Sequence, residues 1–65
     1  MLYKKEDINS IGELMTTDGG RNLTPVFEGG SQHGILVKIS KEEFKVVRGN
    51  VDAMKDLAIL KLNNQ

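Results

Sequence analysis

The stretch ISKEEFKVVRGN, residues 39–50, carries the strongest local signals in this chain and leads from a strand pattern into a helix. Ser40 suits a helix N-cap. Glu43, three residues later, completes a capping box in which each side chain accepts a hydrogen bond from the other residue's backbone N–H. Arg48 suits the negative end of a helix dipole, and Gly49 suits the left-handed position that ends many helices. These signals predict a short helix that begins after Ser40 and ends before Gly49.

The apolar residues of this helix predict its buried side. Phe44 and Val47 lie at helical spacing, and Val46 is a third candidate for the buried stripe. Phe44 has two interpretations: it closes the core of its own chain, or it lines a pocket for an apolar side chain of another protein. Glu42 and Glu43 point about 100° apart on a helix, so capping and dipole roles explain them better than a paired-acid site does.

A strand is predicted directly before the helix, in GILVKIS, residues 34–40. Alternation places three apolar side chains on one face: Ile35, Val37 and Ile39. Leu36 begins the opposite face, which turns polar at Lys38 and Ser40.

A hairpin is predicted upstream of that strand. Residues 18–20, Asp-Gly-Gly, have the composition of a hairpin turn, because glycine tolerates a positive φ. RNLTPVF, residues 21–27, alternates as a strand does. Pro25 cannot donate to a strand ladder, so we expect an edge strand or a bulge there.

Periodicity leaves two interpretations at each end of the chain. In residues 1–15 the apolar residues recur at helical spacing with Asp7 as a cap, whereas residues 12–17 also fit a strand that leads into the turn. In residues 50–62 the spacing is compatible with a helix. We prefer a strand, Leu57–Leu62, with apolar residues on both of its faces.

The predicted fold is a single small α+β domain over residues 1–65. It has a three- to four-stranded antiparallel sheet, with one short helix before the last strand. One helix covers one face of such a sheet, so the second apolar face, to which we assign Leu36, Leu57 and Ile59, needs another cover. A chain of 65 residues without Cys is marginally stable alone. A second copy of the chain is the economical cover, and we predict a homodimer.

Composition narrows the classes of function. Nine basic residues balance nine acidic ones, so neither the basic excess of a phosphate-binding protein nor the acidic excess of a nucleic-acid mimic is present. With no Cys and one His, we expect no metal site and no cofactor. We expect a cytoplasmic protein, because the sequence shows neither a membrane span nor the apolar core of a signal peptide.

Few residues qualify as a chemical site. His33 lies in a glycine-rich loop without a positioned partner, so we interpret it as a loop residue and expect no catalytic residues and no enzyme. Lys41, Lys45 and Arg48 follow one helix face, with Lys38 just upstream. That face could contact phosphates, although a solvated helix surface is the commoner explanation.

The stretch ISKEEFKVVRGN followed by DLAILKLN resembles the C-terminal half of the small dimeric uracil-DNA glycosylase inhibitors of tailed Bacillus phages. The resemblance covers Ile39–Leu62 and rests on a capped short helix with one Phe, a Gly-Asn stop and a strand-like apolar segment. It implies the element order strand, strand, helix, strand. It also implies a homodimer that mimics DNA and blocks the DNA-binding cleft of a host enzyme.

The resemblance further implies roles for individual residues. Phe44 matches the helix Phe that helps to form a pocket for a protruding leucine of the target enzyme. Gly49 and Asn50 match the helix stop of the family, and Glu42 or Glu43 matches its acids near the dimer edge. The chain departs from the family in being neutral, and Lys45 and Arg48 stand where the family has an acid and an aromatic residue.

The leading functional hypothesis is a phage-type inhibitor that binds and blocks a host enzyme or defence protein in the host cytoplasm. Its target could be a DNA-processing enzyme such as uracil-DNA glycosylase. The expected partner-binding residues are Glu42, Glu43, Phe44, Val47 and Arg48. The alternatives are a small nucleic-acid-binding regulator that uses the basic helix face, and an assembly protein that acts through self-association alone.

Overall fold

The fold combines a three-stranded antiparallel sheet with two helices. A computed structural model describes residues 2–29 and 34–64. A single 3-10 turn, Lys5–Asp7, precedes the strands β1 (Ile8–Met15), β2 (Arg21–Phe27) and β3 (Val37–Ile39), and the helices α1 (Lys41–Val47) and α2 (Val51–Asn63) follow. The strand order is β1-β2-β3, and both neighbouring pairs are antiparallel. The predicted small α+β architecture is confirmed at this level.

The predicted order of the last elements is wrong. Residues 57–62 lie within α2, so both helices come after β3 instead of one helix before a final strand. Asn50 explains where α2 begins, because its side chain accepts a hydrogen bond from the backbone N–H of Ala53 at 3.1 Å. Asn50 therefore caps a second helix, and Gly49, at a φ of 75°, separates it from the first.

The N-terminal segment adopts the strand alternative. β1 begins at Ile8, so the helical interpretation of residues 1–15 is wrong, and the strand starts earlier than the predicted residues 12–17. The turn after β1 follows the predicted chemistry, since Gly19 has a φ of 85° and the Gly20 N–H donates to the Asp18 carboxylate at 3.1 Å. A Cβ at Gly20 would lie 2.5 Å from the carbonyl oxygen of Ile39, so only glycine lets β2 and β3 approach there.

Pro25 lies in the middle strand, although a strand with proline was expected at an edge. β2 coincides with the predicted residues 21–27, and it pairs with β1 along its length. β3 pairs only with Arg21, Asn22 and Leu23. Pro25 is therefore in a half of β2 that has a single strand neighbour within the described residues. The one irregularity of this ladder is in β1, between Ile8 and Ser10.

The hydrophobic core lies between one face of the sheet and the two helices. Its buried members are Leu23, Val37, Ile39, Val47, Met54 and Ala58. Val37 and Ile39 confirm the predicted inward face of β3, whereas Val46 does not join the buried stripe, because it is 82% exposed. Buried and half-buried apolar residues of α2 recur at helical spacing, which is the pattern that packs this segment as a helix.

The N-terminal residues are attached to α2. The Tyr3 N–H donates to the Asn63 side-chain oxygen at 2.8 Å, and the Asn63 amide donates back to the Tyr3 carbonyl at 3.1 Å. The Tyr3 ring also packs on the buried Phe27 ring, with 5.3 Å between centroids. Lys5 lies 3.1 Å from the Asp52 carboxylate and 3.2 Å from that of Asp56. The start and the end of the described chain therefore pack together.

Candidate functional site

Phe44 belongs to the protein's own core, and one side of its ring is covered. The side chain is half-buried and packs against the core cluster from α1. The guanidinium carbon of Arg21 lies 4.3 Å from the centre of the ring, a cation–π contact between β2 and α1. Arg21 therefore covers one face of the ring while the side chain packs on the core, which favours the core interpretation over the pocket.

Arg21 is held in place by the hairpin turn. Its guanidinium donates hydrogen bonds to the carbonyl oxygens of Gly19 at 3.3 Å and Gly20 at 3.0 Å. Its Nε atom lies 3.9 Å from the Glu13 carboxylate. These contacts keep the cation over Phe44, so Arg21 connects the turn, β1 and α1 rather than facing a ligand.

Glu43 is also occupied by contacts within the chain. Its carboxylate accepts a hydrogen bond from the Ser40 N–H at 2.8 Å, while the Ser40 hydroxyl accepts one from the Glu43 N–H at 3.0 Å, which confirms the capping box. The Lys61 ammonium lies 2.8 Å from the same carboxylate. The pKa of Glu43 is lowered below its usual value, mainly by the hydrogen bond from Lys61 and to a smaller extent by that from the Ser40 N–H. The ion pair attaches α1 to α2.

The predicted partner-binding residues do not form one surface. Val47 is buried, at 6% exposure, whereas Glu42 and Arg48 are exposed. Phe44 and Glu43 make the internal contacts described above. Only Glu42 and Arg48 of the predicted set are fully available to a partner.

The basic helix face is present and exposed. Lys41, Lys45 and Arg48 have exposed side chains, and within residues 2–29 and 34–64 none of the three forms an ion pair. Lys38 is different, because its ammonium lies 3.3 Å from the Asp18 carboxylate. Hydrogen bonds from Thr16 and from the Gly20 N–H, with a smaller contribution from Lys38, lower the pKa of Asp18 to about 2.

The three residues assigned to a dimer face are not on one face. Leu57 and Ile59 lie on α2, where both are half-buried and Leu57 packs against the core. Leu36 comes just before β3, is 54% exposed, and by strand alternation falls on the side opposite the buried Val37. That side of the sheet is opposite the helices, so the predicted set is divided between two sides of the fold.

The described residues do not include a cluster of side chains that could bind a metal ion. His33 lies outside the described residues. Within the described ranges, no three His, Cys, Asp or Glu side chains come together as metal ligands would.

The face of the sheet opposite the helices is a surface that the sequence did not define correctly. The strand register places these residues together on it: Ser10, Gly12 and Leu14 of β1, Asn22, Thr24 and Val26 of β2, and Lys38 of β3. We call this surface the open face. Leu14 and Val26 are 58% and 47% exposed.

The open face is poor in charge. Lys38 is its only charged residue, and Asp18 partly neutralises that charge, in a chain of which 28% is charged. The neutral polar side chains of Ser10, Asn22 and Thr24 can donate and accept hydrogen bonds. Such a surface can hold a complementary protein surface by apolar contact and hydrogen bonds. The alternation of β2 was visible in the sequence, but the face became defined only through its register with β1.

Neither helix of the described chain has both the length and the apolar character that a membrane span needs. No family model matches the chain, and comparisons with curated proteins and with solved structures find no match either.

Proposed function

We propose that this protein is a non-enzymatic binding protein that attaches to another protein through the open face and blocks it. One observation carries the proposal: the sheet presents Leu14 and Val26 on a face with a single charged residue. The central parts of protein–protein interfaces are likewise poor in charged residues and rich in apolar surface. Leu36, at the edge of the same side, extends the apolar part of this surface.

The proposal keeps the inhibitor hypothesis in its general form. The resemblance to the phage inhibitors supports an inhibitory role in a host cell. Two features weigh against carrying over DNA mimicry and a leucine-binding pocket. Residues 57–62 are helical where the resemblance implies a strand, and Arg21 covers the ring of Phe44. The proposed target is therefore a host enzyme or defence protein, recognised by the sheet and not by α1.

Capture from bacterial lysate with matched variants tests the proposal. Val26→Lys/Leu36→Lys places two charges on the open side of the sheet. Val46→Lys/Val51→Lys places two charges at apolar positions of the helices that are at least as exposed as Val26 and Leu36. We expect the wild type and the helix variant to retain the same protein, and the sheet variant to lose it. Equal retention by all three proteins would contradict the proposed surface.

A second candidate function follows from the basic helix face. Lys41, Lys45 and Arg48 are exposed without ion pairs among the described residues, and three adjacent cations can contact phosphates. A nucleic-acid-binding regulator would bind a labelled duplex or single strand in an anisotropy titration. Its affinity would fall steeply with salt, and Lys41→Ala/Lys45→Ala would reduce the salt dependence. Negligible binding at low salt would remove this candidate.

A further inference from the structure

The two edges of the sheet differ in how they are protected. β3 is three residues long, carries Lys38 at its centre and leads directly into α1 through Ser40. Short length and a central lysine are features that keep a strand edge from pairing with other chains. The edge at β3 is therefore protected.

The edge at β1 has almost none of these features. β1 is eight residues long, contains neither proline nor lysine, and has Glu13 as its only charge. Glu13 lies 3.9 Å from Arg21, so its charge is partly neutralised within the chain. The bulge between Ile8 and Ser10 disturbs only the first part of the strand. Within the described residues, no strand pairs with the outer side of β1.

We propose that the outer edge of β1 pairs with β1 of a second copy, which joins the two sheets into one six-stranded antiparallel sheet. A twofold axis brings identical strands together antiparallel, so the same edge serves on both copies. A strand with one partly neutralised charge meets no strong like-charge repulsion from its copy. This edge is distinct from the dimer face predicted from sequence, which assumed that Leu57 and Ile59 were in a strand.

The pairing register follows from the regular part of β1. Residues directly opposite in an antiparallel pair point to the same face, whereas consecutive residues of a strand point to opposite faces. The twofold axis must therefore pass midway between one residue and the same residue of the partner copy. The regular segment, residues 10–15, allows a centre at Gly12 or at Glu13. A centre at Glu13 would place two carboxylates directly opposite each other, which is destabilising. Gly12 therefore faces Gly12 of the partner copy, and Ser10 faces Leu14 of the partner copy.

The size of the contact sets its expected strength. The five residues from Ser10 to Leu14, at about 3.3 Å each, give a paired segment roughly 17 Å long. A single strand pair of this length buries less than the roughly 800 Å² per partner of a standard stable interface. We therefore expect a reversible dimer, half-formed in the micromolar range or above, rather than a permanent one.

Sedimentation equilibrium over protein concentrations from about 1 µM to about 1 mM tests the pairing. We expect the wild type to move from monomer to dimer. Ser10→Lys/Leu14→Lys puts lysine opposite lysine at both ends of the pair, and should weaken dimerisation at least about tenfold by charge repulsion. Val26→Lys/Leu36→Lys adds the same charge to the same side of the sheet, away from the β1 edge, and should leave the dimer unchanged. Circular dichroism melting curves check that each variant is folded.

Three outcomes would overturn the pairing. One is a wild type that stays monomeric at the highest concentration, and another is a dimer that the two lysine variants weaken equally, which indicates contact through the faces. The third concerns cysteine variants. Because the chain has no native Cys, any disulfide must form between the introduced residues. Ser10→Cys/Leu14→Cys should form a disulfide-linked dimer on oxidation, and Val26→Cys/Leu36→Cys should not. A dimer without the first cross-link would refute the register, even if the lysine variant is unfolded.

The β1 pairing does not rest on the proposed function, and the two can fail separately. Loss of partner capture by Val26→Lys/Leu36→Lys with an unchanged dimer supports both. A monomer that still captures its partner through the open face overturns only the pairing.

Discussion

The guanidinium of Arg21 lies 4.3 Å above the ring of Phe44, and it is held there by two carbonyl oxygens of the β1–β2 turn. This contact joins the hairpin to α1 across the top of the core. It also explains why an aromatic residue occurs among the charges of residues 39–50: the ring packs inward and is covered by a cation. Phe44 is therefore a structural residue whose removal should be measured first as a loss of stability.

Replacing Phe44 tests this role. Phe44→Ala should lower the free energy of unfolding by about 2–3 kcal/mol, somewhat less than for a fully buried Phe, because the ring is half-buried. Chemical denaturation followed by circular dichroism gives the value. A loss below about 0.5 kcal/mol, together with lost partner binding, would instead support the pocket interpretation.

The contribution of the cation is separable from that of the ring's volume. A double-mutant cycle with Arg21→Met and Phe44→Leu keeps apolar volume at both positions. We expect a coupling free energy of about 0.5–1 kcal/mol between the two sites. Additive effects of the two substitutions would show that the contact contributes nothing to stability.

The capping box at the start of α1 should contribute more than the ion pair that shares its carboxylate. Ser40→Ala removes the side-chain acceptor for the Glu43 N–H and should cost about 1 kcal/mol. Glu43→Gln keeps an acceptor for the Ser40 N–H but loses the charge that faces Lys61, and should cost about 0.5 kcal/mol or less. Thermal unfolding of both variants checks the order, and a larger loss for Glu43→Gln would contradict it.

Gly20 should tolerate no side chain. A Cβ there would lie 2.5 Å from the carbonyl oxygen of Ile39, a backbone atom that cannot move without disturbing the β2–β3 ladder. Gly20→Ala should cost about 1–3 kcal/mol through this overpacking. Gly12→Ala is the matched control, because its close neighbour is the hydroxyl of Thr24, a side chain that can rotate. We expect a smaller loss for the control, by the same denaturant titration.

The turn carboxylate Asp18 should make stability depend on acid pH. Its pKa is lowered from 3.8 to about 2, first by the Thr16 hydroxyl and then by the Gly20 N–H and Lys38. A lowered pKa in the folded state means that the ionised form stabilises the fold above pH 3.8, and that this contribution disappears as the pH falls through about 2. An NMR titration of the Asp18 carboxyl carbon measures the pKa directly.

Asp18→Asn supplies the corresponding stability test. Asparagine keeps an acceptor for the Gly20 N–H but cannot pair with Lys38. The difference in melting temperature between wild type and variant should be largest near neutral pH and should narrow towards pH 2. A difference that stays constant over this range would mean that the charge of Asp18 does not stabilise the turn.

Local signals in the sequence predicted α1 and its boundaries, because the chemistry of a capping box lies within a few consecutive residues. Ser40, Glu43 and Gly49 act on backbone groups next to them, so no knowledge of the rest of the fold was needed. The alternation of β2 and β3 was similarly predictable. Each of these elements has one buried face and one exposed face, which their sequences display directly.

The segment at residues 51–63 could not be assigned in the same way. The run Leu57–Leu62 fits a strand by alternation and a helix by spacing, and packing on the sheet selects the helix. Asn50 was the missed signal, because it follows Gly49 and was interpreted as part of a stop instead of as the N-cap of α2. The contact of Arg21 with Phe44 and the open face arise from pairings between distant residues, for which one sequence carries no local pattern.

The affinity of the captured partner for matched variants tests the proposed binding surface most directly. Isothermal titration of that partner should give the same dissociation constant for the wild type and for Val46→Lys/Val51→Lys. For Val26→Lys/Leu36→Lys the affinity should fall by about 100-fold or more, since burying an unpaired charge in an apolar contact is costly. Equal affinities for the two lysine variants, with both folded, would contradict recognition through the open face.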